Sequence, residues 1–466
     1  MLYRLLAWLL RTATRVFFRQ IEVVGLEHVP TDRAVIFAGN HPNSLIDPVL
    51  IITTCGRKVH FAAKDTLFKG RVMRAILGGL GAVPIKRRDD HGEGSTDNQA
   101  AFAAMFDVLG RGDAIGIFPE GLSHDESQLA RLKTGAARLA LGAAHKSGRE
   151  IAIVPCGLTF IHPKRFRSRV LVQYGPALTV TPAIADSPDE VRTVTDEIGA
   201  GLRRLTINAP DWDTVRALDV VRRLYQPHEV SIEDRVELAR RFNAYYGAVA
   251  ADPRVIELMS RVRAYQDKLD ELGVSDRELA RDLSKLEVLA RVVRHVVLVA
   301  FWLPLTLPGA PLHLPPLALA RYGSALSPRK DVIATTKLVL GLGLVSLAYA
   351  AAISLLWWAW GFWWALAAAI VLPLSGWATL RVLDRVRLVR RGAGVLFRRL
   401  RFRREVASLR GERARLVAEV IATVDALRPP DVEPLFASNE RESMHARSDA
   451  DLDDEISRRD ARKDRE

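Results

Sequence analysis

The sequence predicts an N-terminal α/β domain on a largely parallel sheet, followed by a helical region and a C-terminal transmembrane helical hairpin. Three observations carry this expectation. Over residues 21–210, apolar β-branched runs alternate with helical patterns, as in domains whose helices cover a mostly parallel sheet. Residues 211–295 read as helical and highly charged, with acids and arginines interleaved. Then Leu338–Leu380 holds 43 positions without a charge, enough for two crossings at ~20 residues each.

The strands are expected at Ala34–Ala38, Val59–Ala63, Ala82–Ile85, Ala114–Phe118, Ile151–Phe160 and Val170–Tyr174. Helical spacing fits Asn98–Leu109, Gly135–His145 and Glu190–Leu205. Residues 1–20 mix Leu, Trp, Val and Phe with four arginines and no acid, the pattern of a basic amphipathic helix lying in a membrane interface. An ordinary surface helix docked on the domain fits the same pattern. Residues 296–320 are apolar but hold Pro304, Pro308, Pro311, Pro315 and Pro316. They read as a Pro-rich membrane or re-entrant segment, a dip that returns, because proline breaks helices. Within the hairpin expected over 338–380, Gly361 sits between tryptophans, marking the turn at an interface. A basic helical segment, 381–428, and a disordered tail, 429–466, complete the chain.

The chain has 466 residues, 49% hydrophobic and 26% charged, which excludes a disordered or fibrous protein. Cys55 and Cys156 are the two cysteines, too few for a disulfide framework or a zinc site, so reduced cytoplasmic thiols are expected. The net charge of +13 is concentrated: residues 1–20 carry +4, residues 381–404 carry +9, and the remainder nets to zero. Both basic stretches adjoin membrane segments, so the anionic partner they imply is a lipid headgroup rather than nucleic acid. By the positive-inside bias, both hairpin ends and the α/β domain face the cytoplasm, in a bacterial inner membrane or its equivalent.

Four elements carry chemistry. Gly39-Asn40-His41-Pro42-Asn43-Ser44-Leu45-Ile46-Asp47-Pro48 follows the first expected strand, where α/β domains place their sites. His41 suits a general base and Asp47 an orienting carboxylate. A hydrogen-bonded loop histidine beside an N-cap Asp47, with Pro48 opening a helix, fits equally well. Pro42 and Pro48 are expected to hold His41 and Asp47 outside helical conformation. Lys86, Arg87 and Arg88 end another strand, as a phosphate clamp or a solvated basic turn. Phe118-Pro119-Glu120-Gly121-Leu122-Ser123-His124-Asp125 brings a carboxylate and a glycine to a strand end, and Lys133-Thr134-Gly135 opens a helix whose N-terminus favours anions. Ile153-Val154-Pro155-Cys156-Gly157 is a plain core strand or a pocket wall.

In this order, the four resemble the motifs of the glycerolipid acyltransferase superfamily, which acylates glycerol-3-phosphate and lysophosphatidate. The match covers 21–210. Gly81–Arg87 keeps the second motif's spacing with Pro84 in place of Phe, and Phe118–Gly121 matches the third outright. Two departures, five residues between His41 and Asp47 and Ser123 where Arg is usual, are similar to the fungal-type subgroup that acylates glycerol-3-phosphate and dihydroxyacetone phosphate. The resemblance implies His41 and Asp47 as the catalytic pair. It implies Asn40, Lys86, Arg87, Glu120, Gly121, Ser123, His124 and Lys133 as substrate-binding residues, with His124 able to replace the missing arginine contact. The implied partners are an acyl thioester donor (acyl-CoA or acyl carrier protein, as co-substrate rather than cofactor), a phosphorylated glycerol acceptor and membrane lipids, with no metal. Acylation of lysophosphatidate and a non-catalytic lipid-binding protein are the alternatives.

Overall fold

The computed structural model describes residues 2–86, 98–184, 187–225, 232–280, 285–327 and 329–427. Arg87 and the tail expected over 429–466 lie outside the described residues. Within them, 2–212 with 285–397 forms one compact unit, and 213–280 with 398–427 a second.

The first unit opens with α1 (Leu2–Phe17), which leads into β1 (Phe18–Val24), β2 (Ala34–Gly39), α2 (Ile46–Thr54), β3 (Val59–Lys64), α3 (Arg71–Gly79) and β4 (Val83–Ile85). It continues through α4 (Gln99–Gly110), β5 (Ala114–Ile117), α5 (Gly135–Ser147), β6 (Ile151–Phe160), β7 (Ser168–Tyr174), β8 (Leu178–Val180) and α6 (Pro188–Leu205). The sheet order is β1-β7-β6-β2-β5-β3-β4, with β8 paired to β6. Strands β6, β2, β5, β3 and β4 pair in parallel, while β7 and β8 run antiparallel to β6. Side-chain alternation sorts two cores. Ile36, Ile115, Ile151 and Ile153 face α4, α5 and α6; Val35, Phe37, Val59 and Val154 face the side that holds Phe17, Ile46 and Leu50.

The expected strands and helices of this unit are present within a residue or two, and two strands are additional. β1 takes Phe18–Gln20 from the helix expected over 1–20, and β8 has three residues. In β1 the exposed Arg19 and Gln20 interrupt the apolar signal, and β8 is too short to give one. Thr14, Ala13 and Phe17 of α1 are buried, while Leu2, Leu5, Trp8 and Leu9 are exposed.

Among the described residues, three helices are long and apolar enough to cross a membrane, starting at Leu286, Lys330 and Phe362 and spanning 21, 31 and 33 residues. This is the architecture of an integral membrane protein. They lie in α11 (Lys285–Thr306), in α13 (Ile333–Trp360) with the 3-10 turn before it, and in α14 (Phe362–Arg401); α12 (Ala310–Ala325) separates the first two. Between α13 and α14, Gly361 adopts φ +88 and makes the hairpin turn, and Tyr349 Oη–H donates to Leu372 O across it at 2.9 Å. The prolines act differently from expectation: Pro304, Pro315 and Pro316 lie inside helices, and the break falls at residues 307–309. At that turn Gly309 N–H donates to Ser375 Oγ at 3.0 Å. His295 lies beside Arg385 and Trp302 packs on Trp377, so α11 runs antiparallel to α14. His313 bonds Tyr349, and Ser327 bonds Thr336, so α12 runs back along α13. At 1.5 Å per residue, Ser375 is only about 14 Å along α14 from Asp384, against about 35 Å for the hairpin turn. Length alone would let α11 cross; in the structure the chain turns back level with Ser375, less than halfway along α14 from Asp384 to the hairpin turn.

The second unit contains α7 (Trp212–Tyr225), α8 (Ile232–Val249), α9 (Pro253–Leu272), α10 (Asp276–Ala280) and α15 (Arg403–Ala426). They enclose a core that includes Leu224, Phe242, Val262, Tyr265, Leu269 and Val420. Charged pairs lace its surface, among them Arg261–Glu419 and Lys268–Glu412. The helical region expected over 211–295 therefore ends earlier, since α11 belongs to the membrane helices. The basic segment expected over 381–428 is divided: α14 runs on as helix to Arg401, and α15 packs in the helical unit.

Asp384, the single acid among the ten arginines of 381–404, has a specific partner. Arg167 reaches it at 2.5 Å and also donates to the carbonyls of Arg15, Val16 and Phe18 at the end of α1. Both side chains of the pair are nearly buried (11% and 13% exposed). Removing Arg167 leaves the nearly buried Asp384 carboxylate with the longer contact to Arg387, at 3.8 Å. Arg167→Ala should lower unfolding stability by about 3–5 kcal/mol, and Arg167→Ala with Asp384→Ala should recover part of it in thermal unfolding of detergent-solubilised protein. Equal losses in the single and double variants would refute the pairing energy.

Candidate active site

The site forms where β2 and β5, neighbours in the sheet, end side by side. The crevice beyond the carboxyl ends of parallel strands is open to loops because the connections leave in opposite directions. The chain leaves β2 through α2 for β3 on one side, and leaves β5 through α5 for β6 on the other.

His41 follows β2 by two residues and is 9% exposed. Its ring stacks on Phe118 with centroids 4.0 Å apart and planes at 6°. A Cβ on Gly39 would come within 3.0 Å of the Phe118 ring, so glycine there makes room for the stack. His41 Nδ1–H donates to Asp47 Oδ2 at 2.9 Å, and the same oxygen accepts Asn43 N–H at 2.7 Å. Asp47 is fully buried, and its Oδ1 has no hydrogen-bond partner among the described residues. Burial pushes its carboxyl above the usual range, opposed by the His41 and Asn43 donors.

Asp47 lies inside the first turn of α2, contrary to the expectation that Pro48 would keep it out of the helix or make it the N-cap. The cap position is Leu45. Proline is tolerated in a first turn because the N–H it lacks has no intrahelical acceptor there. The chain between the pair turns through Ser44, whose φ of +50 is in the left-handed region. That conformation costs a non-glycine residue about 1–2 kcal/mol.

Glu120 is 2% exposed, and its carboxylate is occupied by the protein. Oε1 accepts His41 N–H at 2.8 Å, and Oε2 accepts Ala130 N–H at 2.8 Å and the His124 imidazole. Asn40 is likewise engaged: Nδ2 donates to Leu158 O at 3.1 Å and Oδ1 accepts Leu158 N–H at 2.7 Å, extending the β2–β6 pairing. Ser123 Oγ accepts Ser44 N–H at 3.0 Å. Asn40, Glu120 and Ser123, expected at the substrate, thus hold loops together. The resemblance named the positions without revealing that their polar atoms are used within the chain.

Gly121 has φ +74, and a Cβ there would lie 2.7 Å from the Lys133 side chain, which crosses it. Lys133 is exposed, and its N–H donates to Pro119 O at 2.7 Å. Lys86 is exposed just beyond β4, and Asn98 bridges its N–H and carbonyl. β4 lies three strand positions from β2 on the same sheet end, about 14 Å at the usual strand spacing. Phe118's stacking and Asn43's donor to Asp47 were not anticipated. Nor were Arg329, Thr335 and Lys337, which touch the site loops from far along the chain.

Hydrogen bonding to Glu120 raises His124 above its ordinary value of 6.5. The sign follows: stability from this pair is full below that ordinary value and is lost as pH rises through the elevated folded value. Between pH 6 and 9, the unfolding midpoint should fall more steeply in the wild type than in His124→Gln. Parallel profiles would refute the coupling.

Two family models match this chain: one described as Acyltransferase over residues 20–159, the other as the Glycerol-3-phosphate acyltransferase 2 C-terminal domain over 217–432. The chain belongs to the glycerolipid acyltransferase superfamily. This acyltransferase-superfamily chain is 36% identical to Glycerol-3-phosphate O-acyltransferase 2 of Saccharomyces cerevisiae over 277 residues, covering 54% of this chain and 37% of that one. It is 23% identical to an uncharacterized acyltransferase of Schizosaccharomyces pombe over 454 residues, covering 75% and 67%. The chain spans little over a third of the length of the S. cerevisiae relatives it matches. Among solved structures, the 1-acyl-sn-glycerophosphate acyltransferase of Thermotoga maritima is similar at 24% identity and a TM-score of 0.31, over 40% of this chain and 72% of that one.

Proposed function

We propose that this membrane protein transfers a fatty acyl group from acyl-CoA or acyl carrier protein to a hydroxyl of glycerol-3-phosphate or a close phosphate-bearing acceptor. The observation that carries the reading is the His41–Asp47 pair, bonded at 2.9 Å beside a ring stack and a buried carboxylate that fix it. With Nδ1–H committed to Asp47, Nε2 is the nitrogen left to accept the acceptor's hydroxyl proton. The alkoxide oxygen bonds the thioester carbonyl carbon, and collapse of the tetrahedral adduct breaks the C–S bond. The thiolate then takes the proton back from Nε2. Asp47 stabilises the imidazolium between those events.

Lys86 and Arg87 beyond β4, with Lys133 at the start of α5, are the cations assigned to the acceptor's phosphate. Gly121 leaves room for the Lys133 side chain to cross the loop toward the acceptor, and His124 lines the same loop. Asn40, Glu120 and Ser123 act by holding the loops. Similarity to yeast glycerol-3-phosphate acyltransferases, extending through the C-terminal family model, favours the first acylation over that of lysophosphatidate. The α11–α12 excursion reads as re-entrant, and α1 as an interfacial helix with its exposed leucines and Trp8 toward lipid. The basic ends of the hairpin support a cytoplasmic side for the catalytic unit.

The test is acyl transfer by the full-length protein in vesicles. It compares glycerol-3-phosphate, dihydroxyacetone phosphate and 1-acylglycerol-3-phosphate, each with acyl-CoA and acyl carrier protein donors. Preference for a lysophosphatidate acceptor would overturn the assignment of the first acylation, and transfer to none of the three would overturn the reading.

A further inference from the structure

The strained turn between His41 and Asp47 is held from a distance. Its 43–44 peptide is bonded at both ends: Ser44 N–H donates to Ser123 Oγ at 3.0 Å, and Asn43 O accepts the Thr335 hydroxyl at 3.4 Å. Thr335 lies in the first turn of α13. Ser123 is itself held through its carbonyl, which accepts Arg329 Nη2 at 2.9 Å. Asp331 braces that guanidinium at 2.7 and 3.1 Å.

The loop after β6 is tied to the same stretch. Lys337 Nζ donates to Lys164 O at 2.6 Å, and the neighbouring Pro163 carbonyl accepts Asn43 Nδ2 at 3.2 Å. Ala334 is fully buried in the core cluster of Phe37, Ile46 and Leu50. Residues 329–337 therefore touch all three loops that frame His41, and each polar contact from Arg329, Thr335 and Lys337 to those loops ends on a backbone carbonyl. Side chains aimed at carbonyls set where loops lie and leave their side-chain chemistry unchanged.

We infer that the base of the first hairpin helix positions the catalytic pair, with Thr335 and Arg329 as positioning residues for His41. This rests on the reading of His41 as general base. The route is short: Thr335 fixes the Asn43 carbonyl, Asn43 N–H fixes Asp47 Oδ2, and Asp47 fixes the imidazole. A residue with φ +50 returns to its preferred region when released. Loss of either clamp lets the 43–44 peptide rotate and draws the Asn43 donor from Asp47. Seating of the membrane hairpin and the geometry of the base then become one event, so the soluble part of the site is complete only when the hairpin is seated.

The experiment uses the full-length protein in phosphatidylcholine vesicles, with Thr335→Val, Thr335→Ser, Arg329→Ala and Arg329→Lys. Thr335→Val keeps the shape and removes only the donor. Misplacing a reacting group slows turnover without weakening binding, so Thr335→Val and Arg329→Ala should lower kcat about tenfold or more with both KM values within about twofold. Thr335→Ser and Arg329→Lys should restore most of the rate. A second readout does not depend on turnover: carbethoxylation of His41 by diethyl pyrocarbonate, followed by mass spectrometry. Its rate should rise about threefold or more in Thr335→Val and Arg329→Ala, because the imidazole loses its fixed partner. An unchanged kcat, a loss carried by KM, or an unchanged carbethoxylation rate would each overturn the positioning role. A wild type that transfers no acyl group overturns the functional reading instead, and the carbethoxylation comparison still decides the positioning.

Discussion

His41→Ala should lower kcat for acyl transfer by about 10³-fold, with KM for donor and acceptor changed little. A positioned base contributes about 10²–10⁴-fold because it acts when the proton moves, not when substrate binds. His124, on the neighbouring site loop, does not take over, since Glu120 engages it and the ring that Asp47 orients is gone. Alanine also removes the stack on Phe118, which is a packing loss at a site already 9% exposed, so the fold should survive. Steady-state rates with a labelled acyl donor decide the matter. Retention of more than about a tenth of wild-type turnover is incompatible with a base at this position.

Glu120→Gln carries the second large effect, and it combines stability with turnover. The buried carboxylate accepts two backbone N–H groups on different oxygens, His41 N–H on Oε1 and Ala130 N–H on Oε2. An amide in its place turns one of those oxygens into an NH₂ group. Whichever way it flips, a donor faces a donor in a site closed to water. The loss should be about 3 kcal/mol, from one charge-assisted bond and one stranded donor. The unfolding midpoint should then fall by about 5 °C or more. Turnover should drop about 10²-fold, since the backbone of His41 is one of the two groups displaced. A direct substrate contact by Glu120 makes a different forecast: a raised acceptor KM at unchanged thermal stability. Thermal unfolding and kinetics on the same preparation separate the two.

Much of the fold can be read along the chain because the signals are local. Strand runs such as Ile151–Phe160 are mostly apolar with several β-branched residues, as suits strands buried on both faces. The hairpin is legible because a helix facing water needs a polar face, and 43 uncharged positions leave none. The strand β1 is not, because Arg19, Gln20 and Glu22 break its pattern and its stability comes from pairing with β7, about 150 residues away. Where α11 ends is likewise illegible: composition permits a crossing, and the turn level with Ser375 is set by packing against α14.

The sequence by itself singled out the candidate residues for the chemistry. His41, Asp47 and the Phe118–Asp125 stretch stand out because their types, order and spacing form a set that is rare as a whole. It also located the charge: two basic stretches beside membrane segments, around a remainder that nets to zero. Tertiary structure alone decided what those residues do with their polar atoms. Asn40 and Glu120 are spent on backbone groups of Leu158, His41 and Ala130, and Asp384 on Arg167. It also decided that Thr335 meets Asn43 across 292 residues. The physical reason is that a hydrogen bond is settled by distances of about 3 Å, and such distances between remote segments exist only after the chain has packed.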